Sequence, residues 1–121
     1  MNNTILYNPE CSKSRELLTI TKSINIKFVI RNYLIHPLSK IEIDRLILML
    51  ELETPEDLLR KGSAQKSSKE EQSDKVIDVA EAIANNPELL QRPIVIMKEK
   101  AIIARPPSIA VEFIEKLSPT L

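Results

Sequence analysis

The stretch Thr4-Ile5-Leu6-Tyr7-Asn8-Pro9-Glu10-Cys11-Ser12-Lys13-Ser14-Arg15 contains a change of structural period. Thr4 to Tyr7 is a short run of branched, apolar and aromatic residues that reads as a strand, and Asn8-Pro9 halts it. Beyond Ser12, apolar side chains return at Leu17, Leu18, Ile20 and Ile24, with Thr21 on the same face, at the spacing of a helix capped by Ser12 or a neighbour. Cys11, the sole cysteine, therefore falls where a strand turns into a helix. A thiolate is a far better nucleophile than a thiol, and helix N-terminal amides and nearby cations favour the thiolate. Ser12, Lys13, Ser14 and Arg15 supply both conditions. The plain alternative is packing, since a free cysteine is among the most buried residue types.

Outward from this stretch, Ile26 to Leu34 is rich in branched and aromatic residues and reads as a second strand. With the helix between them the two strands form a βαβ unit, which implies a parallel pair and a right-handed crossover. Ser39 caps a periodic helix from about Lys40 to Leu52, with Ile43, Leu46, Ile47 and Leu50 on one side. Thr54-Pro55-Glu56-Asp57 opens a short helix that runs through Leu58, Leu59 and Arg60 to a stop at Gly62. Residues 63–73 are polar and read as an exposed loop. Ser73 or Asp74 starts a further helix through Val76, Ile77, Val79, Ala80 and Ile83, which Asn85-Asn86-Pro87 closes, and a turn follows around Leu89 and Leu90. Pro93 to Met97 and Lys100 to Ala104 read as a hairpin joined by Lys98 and Glu99, without the usual turn glycine. Ser108 to Leu117 is an amphipathic final helix. The order βαβ, helical segment, ββα predicts an α/β protein: a thioredoxin-like fold with a mixed four-stranded sheet and a helical insertion at about residues 38–91.

Composition bounds what such a chain can do. Its 121 residues predict a single domain with a real core. Apolar residues at 43% and charged residues at 28% are ordinary for a globular protein. Seventeen basic residues balance seventeen acidic ones, so no net field draws the chain to nucleic acid or to a membrane surface. No apolar run reaches the ~20 residues that cross a bilayer, and the N-terminus lacks the pattern of a signal peptide, so the expected location is cytoplasmic. One cysteine and one histidine, His36, allow neither an internal disulfide nor a multi-ligand metal site. A single glycine excludes the Gly-rich phosphate loops, and four aromatics argue against a base-stacking platform.

In folds with this order, a proline just before the third strand is commonly cis and packs beside the cysteine, which makes Pro93 the candidate. Arg92 is then delivered to the same place. Arg105 ends the partner strand of the hairpin, so tight pairing brings both guanidiniums out on one side. The planar fork of arginine suits a tetrahedral oxyanion better than the point charge of lysine. A cysteine with converging arginines points to oxyanion chemistry. Each cation has an ordinary alternative: Lys13 and Arg15 as solvated helix charges, Arg92 and Arg105 as surface residues beside prolines, and Arg60 as a complement to a helix end.

Four motifs in order, Asn8-Pro9-x-Cys11-x-x-Ser14-Arg15, Leu59-Arg60-Lys61, Arg92-Pro93-Ile94-Val95 and Arg105-Pro106, make the chain resemble the glutaredoxin-coupled arsenate reductases over nearly its whole length. The resemblance implies that Cys11 is the nucleophile and attacks arsenate, that glutathione adds as co-substrate to the thiol-arsenic intermediate, and that glutaredoxin reduces the adduct so that arsenite leaves. It assigns Arg60, Arg92 and Arg105 to the oxyanion, and Ser14 and Arg15 to the thiolate. It implies no bound cofactor and no metal. Ser14 stands three residues after Cys11, so the C-x-x-C of thioredoxins is absent and the resolving thiol must be external. Reductases of this type usually carry histidine directly before Asn-Pro; this chain has Tyr7, which leaves the thiolate to the helix N-terminus and the arginines.

Two other functions fit the same residues. One is a non-catalytic regulator of the same fold that binds RNA polymerase or another protein, for which the polar loop at 63–73 offers a contact surface. The other is a glutathione-dependent disulfide reductase.

Overall fold

A computed structural model describes residues 2–60 and 78–118. Its regular elements are β1 (Thr4–Tyr7), α1 (Ser12–Lys22), β2 (Val29–Asn32), α2 (Lys40–Leu50), a 3-10 turn (Pro55–Leu58), α3 (Val79–Asn85), a second 3-10 turn (Pro87–Leu89), β3 (Ile94–Met97), β4 (Lys100–Ile103) and α4 (Ile109–Leu117). The chain separates into two compact units, residues 1–36 with 92–121, and residues 37–91. The second matches the helical insertion expected at about 38–91. The expected loop at 63–73 and the Gly62 stop lie outside the described residues; the helix expected from Ser73 or Asp74 instead begins at Val79, where the extended Asp78 caps it and its side chain accepts from the Glu81 amide.

In the first unit the sheet order is β2-β1-β3-β4. β1 and β2 pair in parallel, and β3 is antiparallel to both β1 and β4. This is the mixed four-stranded sheet of a thioredoxin-like fold. The central strand β3 is buried at all four positions, which explains its unbroken apolar run. On one face Ile5 lies opposite Val95, and Leu17 from α1 with Ala110 and Ile114 from α4 closes over them and Met97.

β2 is shorter than the expected Ile26–Leu34 because β1 pairs with it over four positions only, Val29 to Asn32; among the described residues no strand pairs with its other side. Val29 is 51% exposed and Ile30 44%. Ile26 and Phe28 instead pack against the core cluster from the segment before the strand. The β3–β4 turn places Lys98 and Glu99 at φ of 51° and 65°, so two residues with a Cβ carry the left-handed backbone that glycine or asparagine usually supplies.

In the second unit Ser39 forms a full capping box with Glu42, and α2 buries Ile43, Leu46 and Met49. The segment after Thr54 is a single 3-10 turn, not a helix reaching Gly62: it ends at Leu58, and Leu59 and Arg60 turn extended to meet the chain after α3. Leu59 bridges Leu90, the Arg60 amide donates to the Leu89 carbonyl at 2.7 Å, and the Gln91 amide donates to the Leu58 carbonyl at 2.7 Å. Backbone pairing across the unit outweighs the propensity of a short helix.

Candidate functional site

Cys11 occupies the N-cap of α1, with the extended backbone a cap requires. A capping side chain points at the amides of the second and third helical residues, here Lys13 and Ser14. Cys11 is 7% exposed. Burial pushes its thiol up, but the Arg92 guanidinium, the amide and hydroxyl of Ser14, and the Lys13 amide together pull it down to about 7. The thiolate is therefore more accessible near neutral pH than in an ordinary cysteine. The Cys11 sulfur makes no capping hydrogen bond of its own, but it stands at the N-cap position, where the partial positive charge of the helix start favours an anion.

Ser14 is fully buried. Its hydroxyl accepts from the Asn8 amide at 3.3 Å, which leaves its proton for the sulfur. Arg15 is placed differently: its Nη1 donates to the Pro9 carbonyl at 2.8 Å, and its amide makes the first helical bond to the Cys11 carbonyl at 3.1 Å. The contact of Arg15 is with the loop that carries the cysteine.

The strand registers explain how Arg92 arrives. Leu6 pairs with Ile94, so continuing two positions beyond the ladder sets Asn8 beside Arg92. Ile94 pairs with Ile103, and the same continuation sets Arg92 beside Arg105. The Ala104 amide donates to the Pro93 carbonyl at 2.9 Å, which keeps the two chains paired as far as these residues. Both Arg92-Pro93 and Arg105-Pro106 are cis peptides; the first was expected from the sequence and the second was not. The Arg92 Nε and Nη1 are buried, whereas Arg105 is exposed and its Nη1 donates to the Arg92 carbonyl at 3.0 Å. Cys11, Ser14 and Arg92 thus converge, and Arg105 joins them through the main chain of Arg92. Arg60 belongs to the second unit, next to the Leu59–Leu90 bridge.

Sequence reasoning missed the roles of two residues. Asn8 was read as a strand stop and as part of the Cys11 motif, with no role of its own, yet it is 7% exposed and its amide, carbonyl and side chain are all hydrogen-bonded. Tyr33 is fully buried, and its hydroxyl accepts from Asn8 Nδ2 at 3.4 Å. The available signal was the parallel βαβ unit. Tyr7 pairs with Asn32, so Asn8 must stand beside Tyr33, but that register is invisible without the strand ends.

A cysteine at the start of the helix after β1, with an arginine before a cis proline at β3, is a family-level arrangement. The ArsC family pattern matches residues 6–113. This chain belongs to the ArsC family. It is 32% identical over 117 residues to the uncharacterized Escherichia coli (strain K12) protein YfgD, a match that covers 91% of this chain and 94% of that one. An arsenate reductase of Haemophilus influenzae is 33% identical over 116 residues, covering 94% of this chain and 100% of the relative. Among solved structures, the arsenate reductase from Vibrio cholerae superposes with a TM-score of 0.82 at 31% identity, covering 93% of this chain and 97% of that one. The ArsC fold is thus the thioredoxin-like arrangement expected from element order. Among the described residues no helix is long and apolar enough to cross a membrane.

Proposed function

We propose that this ArsC-family chain is a thiol-dependent oxidoreductase that reduces arsenate to arsenite through a Cys11-bound intermediate, with glutathione and glutaredoxin completing the cycle. The observation that carries this reading is the Arg92 guanidinium on a thiol at the N-cap position of α1, drawn down to about 7. The same two features serve an oxyanion: a sulfur anion to attack it and a planar cation to hold it. Arsenate reductases among the relatives support the choice of substrate.

In the first step the Cys11 sulfur bonds to arsenic(V) and one arsenic oxygen leaves as water. The donors around the sulfur and on Arg92 meet the negative charge that builds on the remaining oxygens. Glutathione then adds to the arsenic, and a second oxygen leaves as water. A glutaredoxin thiolate attacks the glutathionyl sulfur: a glutaredoxin–glutathione disulfide forms, the sulfur–arsenic bond breaks, and its electron pair reduces arsenic(V) to arsenic(III). Water then cleaves the remaining bond to Cys11, releasing arsenite and the free thiol. Arg105 holds the Arg92 backbone at the oxyanion side, and Ser14 and Arg15 secure the sulfur and its loop. Arg60 enters on the resemblance alone, and its replacement is a separate test.

The experiment is arsenate-dependent oxidation of NADPH coupled through glutathione reductase, glutathione and glutaredoxin. The wild type should turn over and Cys11→Ser should not. A wild type with no arsenate-dependent rate would overturn the substrate, and a rate that persists in Cys11→Ser would overturn the nucleophile.

A further inference from the structure

The register that brings Arg92 beside Asn8 continues to the far side of the sheet. One position past the β1–β2 ladder, Asn8 stands beside Tyr33. By that register Tyr33, Asn8, Arg92 and Arg105 line up in a row just beyond the strand ends, each one or two positions outside its strand, with Asn8 bonded to the Tyr33 hydroxyl and Arg105 to the Arg92 carbonyl.

Asn8 is the hub of this row. Its carbonyl accepts from the Cys11 amide at 3.0 Å, and its Oδ1 accepts from the Glu10 amide at 2.9 Å. Its own amide donates to the Ser14 hydroxyl at 3.3 Å. These bonds define the turn between β1 and α1 and the orientation of the hydroxyl that faces the sulfur. They also fix the side-chain amide: with Oδ1 on a backbone donor, Nδ2 must find an acceptor. That acceptor is the Tyr33 hydroxyl at 3.4 Å, on a ring that is fully buried beside the nearly buried Asn8. Without it, Asn8 would hold a buried donor with no acceptor in place of a satisfied one, and its amide would have reason to rotate.

We propose that Tyr33 is a positioning residue for Cys11: its phenolic oxygen holds the Asn8 amide, and Asn8 in turn holds the Ser14 hydroxyl and the loop amides in place around the sulfur. The inference rests on Cys11 as the reactive group but not on arsenate as its substrate. The ordinary alternative is that the Tyr33 ring merely fills the core, in which case the hydroxyl is irrelevant to the thiol.

Tyr33→Phe separates the two, because it keeps the ring and removes the oxygen. The readout is the pH dependence of Cys11 alkylation by iodoacetamide, which needs no arsenate. The Tyr33→Phe titration should move to higher pH, with the alkylation rate at pH 6 lowered about threefold, as expected for a half-unit shift. Asn8→Ser keeps a short acceptor for the Glu10 amide and removes the donor to Tyr33, so it should shift the titration in the same direction. Combined with Tyr33→Phe it should add little, since both changes break one contact. An unchanged titration in Tyr33→Phe, or fully additive shifts in the pair, overturns the proposal. Should Tyr33→Phe fail to fold, an unshifted Asn8→Ser titration overturns it alone. A wild type inactive on arsenate with a shifted Tyr33→Phe titration would sink the arsenate reading and leave this one standing.

Discussion

Arg105 Nη1 donates to the main-chain carbonyl of Arg92 at 3.0 Å, so one arginine fixes the backbone of the other. The two are neighbours in the row that extends the β3–β4 ladder, and their environments differ: Arg92 has buried guanidinium nitrogens and acts on the Cys11 sulfur, whereas Arg105 is exposed. Two residues with the same charge and the same Arg-Pro setting therefore have unequal effects on the thiol.

Replacing Arg92 by Ala should raise the pH at which Cys11 ionises, since a cation beside the sulfur favours the anion. Arg105→Ala should raise it less, because its bond is to a carbonyl and not to the sulfur. Iodoacetamide rates across pH for both variants check the order, and an equal or larger shift in Arg105→Ala would contradict it.

The stability of the fold should depend on the ionisation of Cys11. Its folded value of about 7 lies below the ~8.5 of an unfolded thiol. A depressed value means that ionisation favours the folded state: the contribution is complete above ~8.5 and fades as pH falls through about 7. Urea midpoints of wild type and Cys11→Ser should therefore diverge in favour of the wild type as pH is raised from 7 toward 8.5. Parallel curves would exclude a stabilised thiolate.

Ser14→Ala should act twice. It removes a hydroxyl that lowers the ionisation pH of Cys11, and it leaves the buried Asn8 amide without its acceptor. The second effect costs about 1–3 kcal/mol. Chemical denaturation and the alkylation titration should both respond, the former to lower denaturant and the latter to higher pH.

The hairpin turn offers a stabilising change. Lys98 and Glu99 both sit at positive φ, where a side chain with a Cβ is disfavoured. Lys98→Asn with Glu99→Gly should raise the melting temperature by several degrees, about 1 kcal/mol in a domain of this size. No change in the thermal transition would mean that the turn tolerates its backbone without cost.

Local patterns carried most of the fold in the sequence. β1, the hairpin and the periodic helix after Ser39 fall where alternation, spacing and capping put them, because each is decided by residues within a few positions. β2 was harder to bound: its apolar run extends beyond the strand into residues that pack on the core without pairing. The segment at Leu59 and Arg60 follows backbone pairing with Leu89 and Leu90, which no local propensity reveals. At the site, Cys11, Ser14 and Arg92 were legible because each stands beside a motif residue. The roles of Asn8, itself a motif residue, and of Tyr33 were not, since they are set by which positions just past β1 and β2 lie side by side.

The row beyond the strand ends has a temporal consequence. Cys11 and its helix are synthesised early, but Arg92 belongs to the last third of the chain. The guanidinium that lowers the thiol is therefore made long after the sulfur it acts on. Until β3 pairs with β1, the growing chain carries a sulfhydryl without that cation, with only the Ser14 and Lys13 groups of its own helix to draw its ionisation down.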